Sequence, residues 1–238
     1  MGPSPTARQS MSWCRPNSEM AGRPPSKLRR RRHVRDPRIR FTVFCEGRNT
    51  EPAYLDSLSS NLANLAALEI ETIPGPGVPH TLATKAAALV KERRKKRRRS
   101  GGNSFEENDQ IWAVFDRDSH PKYQEAISIC QDNGVGVGRS DPCFELWLVL
   151  HEQDFDKPCN RKDVQRKLAE LRSEYDASSG KTPDCDDLIC RIADAETRAE
   201  KQLRRRSDEG SDDGNPSTTV FKLTREIAAA ANRARRPE

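Results

Sequence analysis

The sequence has no long apolar run. Its most apolar stretch, Leu146 to Leu150, is far shorter than the roughly 20 residues that a membrane-spanning helix needs. No apolar segment of the secretory kind stands near the first residue, so a cytoplasmic setting and no membrane partner are expected. Cys-x-x-Cys pairs are missing too. The seven cysteines are scattered, and Cys185 and Cys190, the closest pair, lack a second Cys/His pair. A zinc site is therefore not expected, and free thiols in a reducing compartment fit best. There is no Walker-type glycine loop, which argues against ATP hydrolysis by this chain. No Ser/His/Asp or Cys/His arrangement suggests nucleophilic catalysis, and no tyrosine context supports a covalent tyrosyl mechanism. No internal repeat is present. Apolar residues are scarce at 34% against 33% charged, lean for a globular domain. The deficit sits in the first forty residues and a few polar runs.

What the chain does have is clustered charge. The 238 residues carry a net charge of +6, but the sum understates the asymmetry. Arg29 to Arg32, Arg35, Arg38 and Arg40 lead out of a Pro-, Ser-, Gly- and Arg-rich opening without periodicity. Residues 1–27 read as disordered. The arginines that follow either track a phosphate backbone or form a polar tether. A second cluster, Arg93, Arg94, Lys95, Lys96, Arg97, Arg98 and Arg99, closes a predicted helix. Cations suit a helix C-terminus, but these repel one another. An anionic partner, most often nucleic acid, relieves that repulsion. The plainer reading is a solvated face.

The elements alternate. Phe41 to Cys45 reads as a strand, followed by a helix from Thr50 with Leu55, Leu58, Leu62 and Leu65 on its buried face. Leu68 to Ile73 is a second strand, stopped by Pro74-Gly75-Pro76-Gly77. A helix from Thr81 to about Arg99 leads to a third strand, Ile111 to Phe115. Tyr123 to Cys130 is helical, Gly134 to Gly138 is a short strand, and Phe144 to His151 is helical. Strand and helix alternating four times predict an α/β fold, a parallel sheet of about four strands flanked by helices. The remainder reads as a helical extension. Asn160 caps a helix that presents Val164, Leu168, Leu171 and Tyr175; Leu188 to Leu203 forms another; Ser217 or Thr218 caps the last. The expected organisation is a basic arm over 1–38, an α/β domain over 39–152 and the extension over 153–238.

Two of the strands end abruptly on carboxylates. Phe41-Thr42-Val43-Phe44-Cys45-Glu46-Gly47 is one, and Ile111-Trp112-Ala113-Val114-Phe115-Asp116-Arg117-Asp118 is the other. Ligands of open α/β sheets bind at the carboxyl ends of strands. If the two strands are neighbours, Glu46, Asp116 and Asp118 converge, since Asp116 and Asp118 can point to the same side. Three such carboxylates cannot all stay ionised cheaply without a cation. Mg²⁺ or Mn²⁺, hard ions that take oxygen ligands, resolve the conflict, as one ion or two.

Glu-Gly after one strand and Asp-x-Asp after a later one is the Toprim pattern. The surrounding wording resembles the RloB-like family of abortive-infection proteins. It is carried by Cys45-Glu46-Gly47-Arg48-Asn49-Thr50-Glu51-Pro52 with Tyr54, and by Val114 through Pro121. Asp141-Pro142-Cys143-Phe144-Glu145-Leu146-Trp147-Leu148 and Asn215 through Val220 carry it further. It extends from about Arg30 to the last helix. Asp141 stands where the family pattern is expected to have Asn, and Asp also suits a helix start. The resemblance implies a Toprim-like domain and a metal-dependent nuclease of phage defence. It also implies an AAA-type ATPase partner. The substrate class is DNA or RNA, tRNA included.

By that resemblance Asp116 and Asp118 hold metal, and Glu46 either moves protons or joins them. Glu51 either serves a second ion or complements its helix dipole. Glu145 stands among large apolar residues and needs a partner; a second metal or a phosphate-positioning Arg would supply one. Arg48 and Arg117 flank the acids and either hold a scissile phosphate or pair on the surface. His120 either orients water or phosphate, or packs on Pro121. The competing reading is a Toprim-like module that binds nucleic acid or the ATPase and cleaves nothing. Removing residues 1–27 is expected to leave the melting temperature unchanged, because that segment has too little apolar surface to order itself. A drop of more than a few degrees would place it in the core.

Overall fold

The computed structural model describes residues 39–62, 68–75, 77–99, 108–117 and 121–234. The arginine-rich arm, Leu65, Asp118 and His120 lie outside them. Strand β1 (Ile39–Cys45) leads through α1 (Thr50–Leu62) to β2 (Leu68–Pro74), then through α2 (Pro79–Arg99) to β3 (Gln110–Asp116). After α3 (Tyr123–Asn133) come β4 (Gly136–Asp141) and α4 (Glu145–Glu152). Helices α5 (Arg161–Leu171), α6 (Cys185–Ile189) and α7 (Ile192–Asp208) follow, then β5 (Ser217–Thr218) and α8 (Val220–Ala234). The sheet order is β2-β1-β3-β4-β5. The first four strands are parallel, and β5 pairs antiparallel with β4.

The two-residue period of the strands sorts the core into two layers. Phe41, Val43 and Cys45 of β1, with Trp112 and Val114 of β3, face one side and pack against α1, α4, α5, α7 and α8. Phe44, Ile111, Ala113 and Phe115 face the other side, where α2 and α3 cover them. Both faces of β1 and β3 are thus dry, which is why these strands read as continuous apolar runs.

Beneath α1 and α4, Tyr54, Trp147 and His151 meet edge to face. His151 Nδ1 donates to the Trp147 carbonyl at 2.8 Å, and Nε2 accepts from the Tyr54 hydroxyl at 3.1 Å. Burial pushes His151 down to about 4, so it stays neutral and keeps both bonds.

Several boundaries differ from the sequence expectation. The sheet has a fifth strand, because Ser217 and Thr218 pair with Asp141 and Ser140. Thr218 does also reach the Val220 amide at the start of α8 with its Oγ1. Asp141 ends β4 instead of starting α4; Phe144 precedes that helix without a side-chain cap. The Asp141 carboxylate instead accepts from Asn215 Nδ2 at 2.5 Å and pairs with Arg117 at 3.4 Å. Helix α5 carries the expected cap, a reciprocal Asn160–Asp163 box, but ends at Leu171, before Tyr175. The helix expected over 188–203 is broken between α6 and α7. All six described cysteines are unpaired. Among the described residues, no helix is long and apolar enough to cross a membrane.

Gly136 shows how tightly the strands fit. It lies opposite Trp112, and an added Cβ would stand 2.3 Å from the indole ring. Gly136→Ala should therefore cost about 1–3 kcal/mol as an overpacked core position. Denaturant titration checks this; an unchanged midpoint would mean that the indole has room to move.

Candidate active site

Parallel pairing brings the carboxyl ends of β1 and β3 side by side, with Cys45 in register with Val114. The chain leaves β1 at Glu46, whose amide still donates to the Val114 carbonyl at 3.1 Å. Glu46 then folds its side chain across, and Oε2 accepts the Asp116 amide at 3.0 Å. The first turn of α1 adds Glu51, and the first turn of α4 adds Glu145. Glu46, Glu51, Asp116 and Glu145 line one cleft of about 300 Å³.

Each carboxylate has found a donor. Glu51 Oε1 accepts the Gly47 amide at 2.9 Å. That contact explains the glycine: a Cβ at position 47 would lie 2.0 Å from Glu51 Oε2. Glu145 Oε1 accepts from the Tyr175 hydroxyl at 2.9 Å. Within the chain the partner of Glu145 is thus a neutral phenol rather than an arginine. Asp116 is 5% exposed. Its Oδ2 pairs with Arg161 at 3.0 Å, and its Oδ1 is buried and accepts no hydrogen bond from the described residues.

Burial and crowding raise the proton affinity of the cluster. The Asp116 carboxyl is held well above the usual range, first by burial and next by Glu51; Arg161 opposes the rise, and Glu145 and Glu46 add to it. Glu51 is also raised, chiefly by burial, against the hydrogen bonds it accepts from backbone amides, with Glu145 and Glu46 contributing. Burial and the nearby Glu145 carboxylate push the Tyr175 phenol up, so it remains a donor.

An all-carboxylate donor set suits Mg²⁺ or Mn²⁺, and the unfilled Asp116 Oδ1 is an acceptor that a cation would satisfy. The four described acids share the cleft without closing on one point: among the described residues, no three His, Cys, Asp or Glu side chains form a ready metal-holding group. Three of the four carboxylates accept from amide or hydroxyl donors, and Asp116 pairs with a guanidinium.

The expected phosphate ligands separate. Arg48 lines the cleft and is exposed. Arg117 leaves it: its guanidinium pairs with Asp141, donates to the Asp213 carbonyl and lies 5.9 Å from the Tyr123 ring centre. The basic run is farther still. Helix α2 runs against the strands and delivers Arg93 to Arg99 to the edge where Arg40 and Gln110 begin β1 and β3. Six residue steps of strand, about 20 Å, part that edge from the acids. In place of these, the helical extension supplies Arg161, Gln165, Tyr175 and Lys181 to the cleft wall. No local pattern marks Arg161, which meets Asp116 across 45 residues of sequence.

A mostly parallel sheet between helices, with acids at its carboxyl edge, defines a Toprim-like α/β protein. A family model described as RloB-like protein matches residues 41–227, and the chain belongs to the RloB-like protein family. Membership suggests a defence-associated protein of the abortive-infection class. Comparison with curated proteins and with solved structures gives no match.

The raised Asp116 sets a pH dependence. Between the unfolded value near 3.9 and the higher folded value, the native state holds more protons than the unfolded one. Its stabilising share is complete below the unfolded value and is lost as pH rises through the folded value. Asp116→Asn should therefore melt at or above wild type near pH 8, with the gap narrowing toward pH 4. Melting curves of the metal-free proteins across that range decide it; a gap that widens on acidification contradicts it.

Proposed function

We propose that the chain is a Mg²⁺- or Mn²⁺-dependent phosphodiesterase acting on nucleic acid in a defence system. The observation that carries this reading is the acidic cleft, above all the buried, unfilled Oδ1 of Asp116 beside Glu46, Glu51 and Glu145. Asp116 would hold the ion, together with Asp118, which lies outside the described residues. Glu51 or Glu145 would complete its shell. When bound, the ion would make the attacking water more acidic and stabilise charge on the phosphate.

The chain's own groups do the rest. Glu46, steadied by the Asp116 amide, takes the proton of the attacking water. The water oxygen bonds to phosphorus, the bond to the leaving oxygen breaks, and that oxygen takes a proton from bulk water, to which Glu46 returns the one it removed. Arg48, Arg161 and Lys181 at the cleft wall meet the phosphate. A partner ATPase would regulate the reaction, and the strand would be DNA or RNA, tRNA included. One observation favours the alternative of a binding module that cleaves nothing. Arg161 already neutralises part of Asp116 from within the chain.

Titration with Mn²⁺ separates the two. Wild type should melt higher with metal, by an amount equivalent to about 2.7 kcal/mol at a hundredfold excess over Kd. It should also cleave mixed nucleic-acid substrates, and EDTA should stop it. Asp116→Asn should lose both the shift and cleavage, whereas Glu46→Gln should lose cleavage far more than metal binding. Wild-type metal binding without cleavage, partner ATPase present, would favour the module. An Asp116→Asn variant that binds metal and cleaves normally would remove the proposal's basis.

A further inference from the structure

A cavity of about 950 Å³ lies at the other end of the sheet. It opens between the last turns of α2 and the first turns of α8, at the amino ends of β1, β3 and β4. Its wall includes Arg93, Arg94, Lys96 and Arg97 from α2 and Lys222 and Arg225 from α8, against the carboxylates of Asp109 and Glu226. Part of this charge is met inside the chain. Arg93 donates to Thr42 Oγ1 at 2.7 Å and lies 4.0 Å from Asp109. Arg225 pairs with Glu196 and Glu200 at 3.1 and 3.0 Å. Two cations are left without a carboxylate among the described residues. Arg94 donates to the Asn133 carbonyl at 3.3 Å, and Lys222 makes no ion pair. Both are exposed. Arg93 Nη1 is buried and makes no hydrogen bond in the described structure.

The acids of the cleft do not neutralise this end. About 20 Å of strand is more than twice the roughly 8 Å over which charges interact at physiological salt. The wall is net cationic, with seven Lys and Arg against Asp109 and Glu226, and a concave site with low-dielectric walls focuses such a field. The cavity has two sides, one from α2 and one from α8, so it can grip consecutive anionic groups from both.

From this we infer that the cavity is a second binding site, separate from the acidic cleft, for a ligand bearing several consecutive phosphates. The chemistry fits a single-stranded nucleic-acid backbone or a nucleoside polyphosphate. It deepens the proposed function by holding phosphates away from the cleft, but its charge does not depend on the metal reading.

Binding of a labelled single-stranded oligonucleotide, followed by anisotropy over a salt series, tests it, with tripolyphosphate and adenosine triphosphate as competitors. The full-length chain is used. The double variant Arg94→Gln/Lys222→Gln should lower the magnitude of the salt slope by about 1.4 and weaken binding about 25-fold near 0.1 M salt, since each single-strand phosphate contact contributes about 0.7 to the slope. Arg94→Lys/Lys222→Arg should restore both, and melting should match wild type. Asp116→Asn is measured alongside as the variant of the cleft. Adenosine triphosphate competing better than tripolyphosphate identifies a nucleoside polyphosphate; an oligonucleotide that resists both identifies the backbone. If the double variant binds all three ligands like wild type with an unchanged slope, the site is refuted. If only Asp116→Asn loses the oligonucleotide, the cavity is likewise refuted and the cleft reading stands. Loss of metal response in wild type with intact cavity binding refutes the cleft alone.

Discussion

Four carboxylates that repel one another are held in one cleft, and the rest of the structure answers to that constraint. Parallel pairing of β1 and β3 forces Glu46 and Asp116 together, because Cys45 sits opposite Val114. The backbone then supplies relief. The Asp116 amide meets Glu46, and the Gly47 amide meets Glu51. These are charge-assisted bonds of the stronger kind, and a Cβ at position 47 would displace the Glu51 carboxylate from the second. What relief they leave undone appears as the raised proton affinity of Asp116 and Glu51.

The helical extension is joined to that problem. Arg161 at the start of α5 and Tyr175 beyond its end reach the same cluster, one with a charge and one with a neutral donor. Asn160 and Asp163 fix the start of α5 through a reciprocal cap, so the guanidinium is presented from a rigid position. At the sheet edge, β5 ties residues 217–218 to β4, and Asn215 holds Asp141. The segment between α7 and β5 thereby anchors Arg117 and Arg139, which pairs with Asp213 at 2.6 Å. Arg117 serves that anchor and not the cleft.

Charge is sorted along the strand direction. A helix that follows a parallel strand must run back against it, so the cationic end of α2 is carried to the edge opposite the acids. One sheet therefore has an acidic carboxyl edge and a basic amino edge. Under the proposed function, that polarity would place phosphate grip and phosphate chemistry at different ends.

Much was legible from residues alone. The runs Phe41–Cys45 and Ile111–Phe115 are apolar on both faces, so they declare buried parallel strands, and strand polarity places Glu46 and Asp116 at the ligand-binding edge. Glu51 and Glu145 stand near strand ends in motifs that resemble the RloB-like family, and their place at the cleft follows from those motifs. The alternation of strand and helix fixes the fold class. Other features were decided only by tertiary structure. Arg161, Tyr175 and Lys181 reach the cleft from positions 45 or more residues beyond Asp116, by the packing of one helix and one loop. The turn of Arg117 toward the Asp213 carbonyl, and the pairing of Ser217 and Thr218 with β4, join segments some 75 to 100 residues apart. Local sequence determines which residues are apolar, charged or turn-forming. It cannot determine which distant partner satisfies a buried carboxylate, because that choice rests on the register of the sheet and the packing of helices on its faces.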